Sequence, residues 1–157
     1  MSINKNFVIS LTFICLLILN ACSQKEEVIE INGKDSLKTL SIQKMVENSS
    51  SEEMNRMVKD KVKIDKVLTM IEDLEVKEIS SEKIFDKMKT QTTYSYNFFE
   101  NENIESGKEV PYAFSVLDDG TFIFTHKDVG SLQTPRMTTT HHKKLLKEIN
   151  QLLGIEF

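Results

Sequence analysis

Thr93-Tyr94-Ser95-Tyr96-Asn97-Phe98-Phe99, Tyr112-Ala113-Phe114-Ser115-Val116-Leu117 and Phe122-Ile123-Phe124-Thr125-His126 are the stretches that decide the fold. Aromatic and β-branched residues alternate through all three with smaller polar ones, the period of a strand that buries one face. The spacing predicts strands over 93–100, 110–118 and 121–126. Asp118-Asp119-Gly120 separates the last two, and a glycine there supplies the positive φ of a tight turn, so these strands are expected to be antiparallel neighbours. Aromatics on alternating strand positions read first as core.

Beyond this meander, Thr134-Pro135 breaks the pattern, and Thr138, Thr139 or Thr140 can cap a helix with Leu145, Leu146, Ile149, Leu152 and Leu153 on one face and Gly154 as its stop. Before it, Ser80-Ser81 introduces a short helix through Ile84, Phe85 and Met88. Val67, Leu68, Ile71 and Leu74 recur at helical spacing after Asp65, which predicts a helix over 66–75. Val58, Val62 and Ile64 alternate with lysines and read as a strand, preceded by a polar loop over 47–53 and a further strand over 37–46. This order is α+β: an antiparallel sheet of about five strands with two main helices packed on one face.

The N-terminus has a different character. Lys5 precedes an apolar or small run from Phe7 to Leu19, too short for a membrane span of about twenty residues and suited to a secretory signal. Leu19-Asn20-Ala21-Cys22 follows and resembles a bacterial lipobox, which implies cleavage before Cys22 and a diacylglycerol (palmitate-type) anchor on its sulfur. Two acyl chains on one residue give the stable attachment that one chain does not. The expected organisation is therefore a signal peptide over 1–21, a lipidated cysteine with a polar tether over 22–35, and a single α+β domain over 36–157. In layout and lipobox the chain resembles the small domain-of-unknown-function lipoproteins of low-GC Gram-positive bacteria. That resemblance implies a location on the outer, extracytoplasmic face of the cell membrane, and it carries no site residue.

Composition agrees with a globular domain: 39% hydrophobic and 28% charged residues and a net charge of −4 over 157 residues. Nucleic acid is excluded as a partner by the acidic balance and its even spread. Cys15 falls inside the apolar run, so Cys22 is the one cysteine expected in the mature chain, which leaves no disulfide or thiolate site.

Candidate chemistry is sparse. His126, His141 and His142 are the histidines, and adjacent helical residues point about 100° apart, so the pair does not converge on one metal. Arg136, His141, His142, Lys143, Lys144 and Lys147 form a basic cluster, and cations at a helix N-terminus oppose its dipole, a charge that anionic headgroups or a wall polymer could use. Glu100, Glu102, Glu105 and Glu109 read as an exposed acidic loop, and Asp118 and Asp119 as turn residues. The chain contains no Gly-x-Ser-x-Gly, no Ser-x-x-Lys with a following Lys-Thr-Gly and no His-Glu-x-x-His. The expectation is a non-catalytic interaction module without a cofactor, held to the membrane through lipid on Cys22 and facing an envelope protein or wall polymer. The alternative is a small-ligand or metal-binding lipoprotein using Tyr94, Tyr96 and Tyr112 or the histidines.

Overall fold

The computed structural model describes residues 27–47, 49–104, 107 and 109–155, with Glu52 through its backbone only. The expected signal peptide, Leu19, Asn20, Ala21, Cys22 and Glu105 lie outside the described residues. Along the chain run β1 (Glu27–Val28), β2 (Thr39–Met45), β3 (Asn55–Val58), α1 (Lys61–Ile71), β4 (Glu75–Glu78), α2 (Ser81–Thr90), β5 (Thr93–Phe99), β6 (Tyr112–Leu117), β7 (Phe122–Asp128), β8 (Ser131–Thr138) and α3 (Lys143–Leu153). The strands form one antiparallel sheet in the order β1-β4-β8-β7-β6-β5-β2-β3. The class is α+β, as the alternation of the meander implies, with eight strands in place of about five and three helices in place of two main ones.

The meander sits at the centre. Tyr96, Phe98, Tyr112, Phe114, Phe122 and Phe124 all point to one face and are buried there beneath α1 and α3. Their rings touch in sequence across the strands, with Tyr96 stacked on Phe114 at 4.7 Å between centroids. On α1, Ile64, Val67, Leu68 and Ile71 supply the covering stripe, and on α3 Leu146, Ile149 and Leu153 do so. The remaining helix, α2, lies on the opposite face. There Ile84 of α2 packs with Leu117 and Ile123, together with half-buried Ile79, Met88 and Met137.

Two segments depart from the expected pattern for identifiable reasons. β3 ends at Val58, and the expected strand through Val62 and Ile64 is instead the first turn of α1. Asp60 caps that turn, its carboxylate accepting from the amides of Val62 (3.0 Å) and Lys63 (3.2 Å), whereas Asp65 lies inside the helix and pairs with Lys61 at 2.6 Å. Val62 is 76% exposed, so its apparent alternation with the lysines was accidental. α3 likewise starts later than expected. Thr138 belongs to β8, and His142 occupies the N-cap without a side-chain cap, its amide donating to the carbonyl of Gly120 (2.8 Å).

The strands that escaped the sequence reading lie toward one edge. β4 has a single buried residue, Val76, and β8 contains Pro135, which reads as a breaker. The proline is accommodated by an irregularity: Phe124 pairs with Arg136 and His126 with Leu132, so β8 spends four steps where β7 spends two. The stretch expected as tether is also structured from Glu27 onward. β1 pairs with β4, and Ile29 and Ile31 are buried in the main core.

Candidate functional site

The residues singled out by sequence are dispersed by the fold. His126 is buried on β7, with Nδ1 3.2 Å from the Thr125 hydroxyl and its ring against Tyr112. His141 and His142 lie near the other end of the same strand, where the His142 ring meets the ring of Phe122 edge-on. Among the described residues no three His, Cys, Asp or Glu side chains come together as metal ligands. The basic cluster also divides. Arg136 is on β8, ion-paired with Glu27, while Lys144 pairs with Glu148 at 3.6 Å. Lys143 and Lys147 border a groove of about 580 Å³ whose other walls include Asp118, Asn150 and Ile155.

The turn carboxylates have local duties. Burial works against the charged form of Asp119, but hydrogen bonds from the Thr121 side chain and amide, with His141 and Lys87 nearby, outweigh it and hold its pKa below the ordinary carboxylate value. Its Oδ1 accepts from the Thr121 amide at 2.8 Å, and Oδ2 lies 3.5 Å from His141 Nδ1. Glu100 accepts from the hydroxyl of Ser36 at 2.8 Å, which ties the acidic loop to the turn before β2. Tyr96 and Tyr112 are fully buried, and burial pushes both phenols up, so the tyrosine face is core.

Four buried side-chain atoms lack a hydrogen-bond partner among the described residues, Gln91 Oε1, the Tyr112 hydroxyl, Gln133 Oε1 and Arg136 Nε, and the last two belong to residues that line one cleft. From β1 the chain crosses the sheet as a strap: Ile29 exchanges backbone hydrogen bonds with Leu74 and Asp73, and Asn32 donates through its amide (2.9 Å) and side chain (2.8 Å) to Oδ1 of Asp128. These two bonds hold the Asp128 carboxyl below its usual pKa. Between strap and β8 lies a cleft of about 430 Å³, with Glu27, Glu30, Lys127, Gln133 and Arg136 in its walls. Gln133 sits in the widened part of β8, where its Nε2 donates to the carbonyl of His126 at 2.7 Å. Its Oε1 and the Nε of Arg136 are both buried without a hydrogen-bond partner among the described residues. Buried polar groups are satisfied in the great majority of cases, so two complementary orphans in one cleft wall mark it out. Arg136 was legible as a cation but not as part of this cleft, and nothing in the sequence distinguishes Gln133 or Glu27.

The opposite face of the sheet is only partly covered. Where α2 does not reach, Ser41, Gln43, Ser95, Asn97, Ala113 and Ser115 share that face by register and are half-buried, and Asn55 and Met57 extend it onto the edge strand. None of these side chains is charged. At the edge itself, Arg56 Nη1 donates to the carbonyls of Glu53 and Asn55, both at 2.8 Å, and so occupies acceptors that a neighbouring strand would need. No helix among the described residues is long and apolar enough to cross a membrane. No family model, no curated protein and no solved structure matches this chain.

Proposed function

We propose that the protein is a membrane-anchored, extracytoplasmic interaction module without catalytic activity, held by lipid on Cys22 and engaging an envelope protein or wall polymer. The observation that carries this reading is the closeness of fold to anchor. The first strand enters the sheet at Glu27, and only Ser23, Gln24, Lys25 and Glu26 separate it from the lipobox cysteine. The five Cα–Cα steps from Cys22 to Glu27 reach at most about 18 Å, so a lipid on Cys22 keeps the β1 edge at the membrane surface. The uncharged half of the sheet, carried on strands at the far side of the molecule from β1, is then free to meet a partner.

The experiment is crosslinking with mass spectrometry on intact cells, comparing the wild type with Cys22→Ala. The expected result is a reproducible partner that is lost with the anchor. An unchanged crosslink pattern in Cys22→Ala, or none in either form, overturns the reading.

A further inference from the structure

The loop joining β5 to β6 meets the turn joining β7 to β8 through the Gly130 amide, which donates to the carbonyl of Pro111 at 2.7 Å. Between loop and turn lies a hollow of about 610 Å³. Its polar lining differs in kind from that of the strap cleft. Arg136 Nε and Gln133 Oε1 are wholly enclosed, so no molecule seated under the strap touches them. His126, in the wall of the hollow, is built otherwise. Its side chain belongs to a residue only 8% exposed, with the ring against Tyr112 and Nδ1 3.2 Å from the Thr125 hydroxyl. Nε2 makes no hydrogen bond among the described residues, yet it is not one of the fully enclosed unpartnered atoms. What stays accessible of the ring therefore includes Nε2, which opens into the hollow.

The rest of the lining narrows the ligand. Glu100 and Glu109 bring two carboxylates, and no lysine or arginine among the described residues borders the hollow. Val110, Pro111 and Val129 are apolar, and Leu132, in register with His126 across the strands, adds apolar surface that is 76% exposed. An anion would meet two like charges and no cation. A bare metal ion lacks its ligands, since no three His, Cys, Asp or Glu side chains converge among the described residues. A neutral apolar molecule would strip water from Nε2 and the carboxylates and return no hydrogen bond. An ammonium joined to an apolar body answers the whole lining. Its N–H groups donate to Nε2, which accepts when Nδ1–H faces Thr125, and its charge is balanced by the two carboxylates. The volume falls in the range of small-molecule sites.

We propose that this hollow binds a small primary ammonium with an apolar body, His126 Nε2 taking an N–H, Glu100 and Glu109 balancing the charge and Leu132 flanking the body. The site is independent of the anchor and of the uncharged face. The test is a nuclear magnetic resonance titration of the full chain in detergent, following the His126 ring nitrogens and the amides of Val110, Gly130 and Leu132. Four probes are compared: phenethylammonium, its neutral analogue 2-phenylethanol, the anion 3-phenylpropionate, and methylammonium, which has the charge without the body. The expected result is saturable shifts at these positions with phenethylammonium, and binding at least 10-fold weaker for each of the other three. His126→Phe keeps a ring beside Tyr112 but removes Nε2, and is expected to weaken binding at least 10-fold. Glu100→Gln combined with Glu109→Gln changes only exposed side chains, is expected to do the same, and decides the matter if His126→Phe does not fold. Four outcomes overturn the proposal: no saturable shift at millimolar phenethylammonium; equal binding of 2-phenylethanol or 3-phenylpropionate, which would remove the role of the charge; equal binding of methylammonium, which would leave a bare pair of surface acids; or undiminished binding by the paired glutamine variant.

Discussion

The hydroxyl of Tyr96, at the centre of the sheet, donates to Oδ1 of Asn150 on α3 at 2.9 Å. It is the polar link between the aromatic floor and the helix that covers it. Tyr96→Phe removes the donor and leaves the amide at the half-buried edge of the α3 groove, where water can reach it, so the expected loss is about 1 kcal/mol in urea unfolding. Asn150→Leu strands a buried hydroxyl instead and is expected to cost more, roughly 1–3 kcal/mol. Equal losses for the two variants would mean that the bond does not organise this contact.

Alkaline pH should destabilise the fold through the same floor. Tyr96 and Tyr112 are both raised above the ordinary phenol value, chiefly by burial. The unfolded chain releases these protons near pH 10 while the folded chain keeps them, so stability is intact below that pH and falls as pH rises toward the folded values. The slope is about 1.4 kcal/mol per pH unit for each tyrosine in that window. Melting temperature followed from pH 8 to 11, with tyrosinate absorbance as the second signal, checks it. Free ionisation of all three tyrosines near pH 10 without unfolding would contradict the burial of the two rings.

Gly120 and Gly130 offer a matched pair. Both hold positive φ, at 84° and 74°. A Cβ on Gly120 would stand 2.3 Å from the amide nitrogen of Lys143, at the start of α3, whereas one on Gly130 meets nothing within 4 Å. Gly130→Ala is expected to cost about 1–2 kcal/mol for the left-handed backbone alone. Gly120→Ala adds a clash with a helix terminus that cannot move freely, and the total should reach about 3 kcal/mol or more. Thermal unfolding of the two variants side by side decides the matter, and similar losses would show that the turn does not press against α3.

That turn also shows how far the sequence could be read. Asp118-Asp119-Gly120 announced the β6–β7 hairpin, and the alternation of large aromatics announced the core, because both are local signals. The β4 and β8 strands were hidden for the opposite reason. Val76 alone marks β4, and Pro135 lies in an irregular widening that only the partner strand defines. The start of α1 was missed because Val62, exposed on the helix, stood in step with Val58 and Ile64. The strap cleft was invisible throughout, since Glu27, Gln133 and Arg136 meet only after the sheet has closed.

The strap should be sensitive to acid at its far end. Asp128 is held below the usual carboxylate pKa by the backbone and side-chain N–H groups of Asn32. A lowered folded pKa contributes stability above the unfolded value, near pH 4, and that contribution is lost as pH falls through the folded value. Solvent screening at this exposed position keeps the contribution to about 1 kcal/mol or less. Asp128→Ala should therefore remove part of the acid dependence below pH 4 and raise hydrogen exchange at the Asn32 and Val129 amides. Unchanged exchange at Asn32 would mean that the strap is held without this carboxylate.

That only four residues separate Cys22 from β1 yields a prediction, resting on the proposed lipid anchor, that separates anchoring from reach. Inserting ten glycine and serine residues between Glu26 and Glu27 leaves the lipobox and the Glu27–Arg136 pair in place, so the protein should still sediment with membranes. The added coil lengthens the tether's average span from roughly 12 Å to roughly 21 Å. A partner embedded in or lying on the membrane should then crosslink less, whereas a wall polymer further out should crosslink as well or better. Cys22→Ala must abolish membrane sedimentation in both backgrounds, because nothing else expected of the mature chain supplies two acyl chains. Sedimentation that persists in Cys22→Ala would remove the lipid anchor, and with it the argument that the β1 edge faces the bilayer.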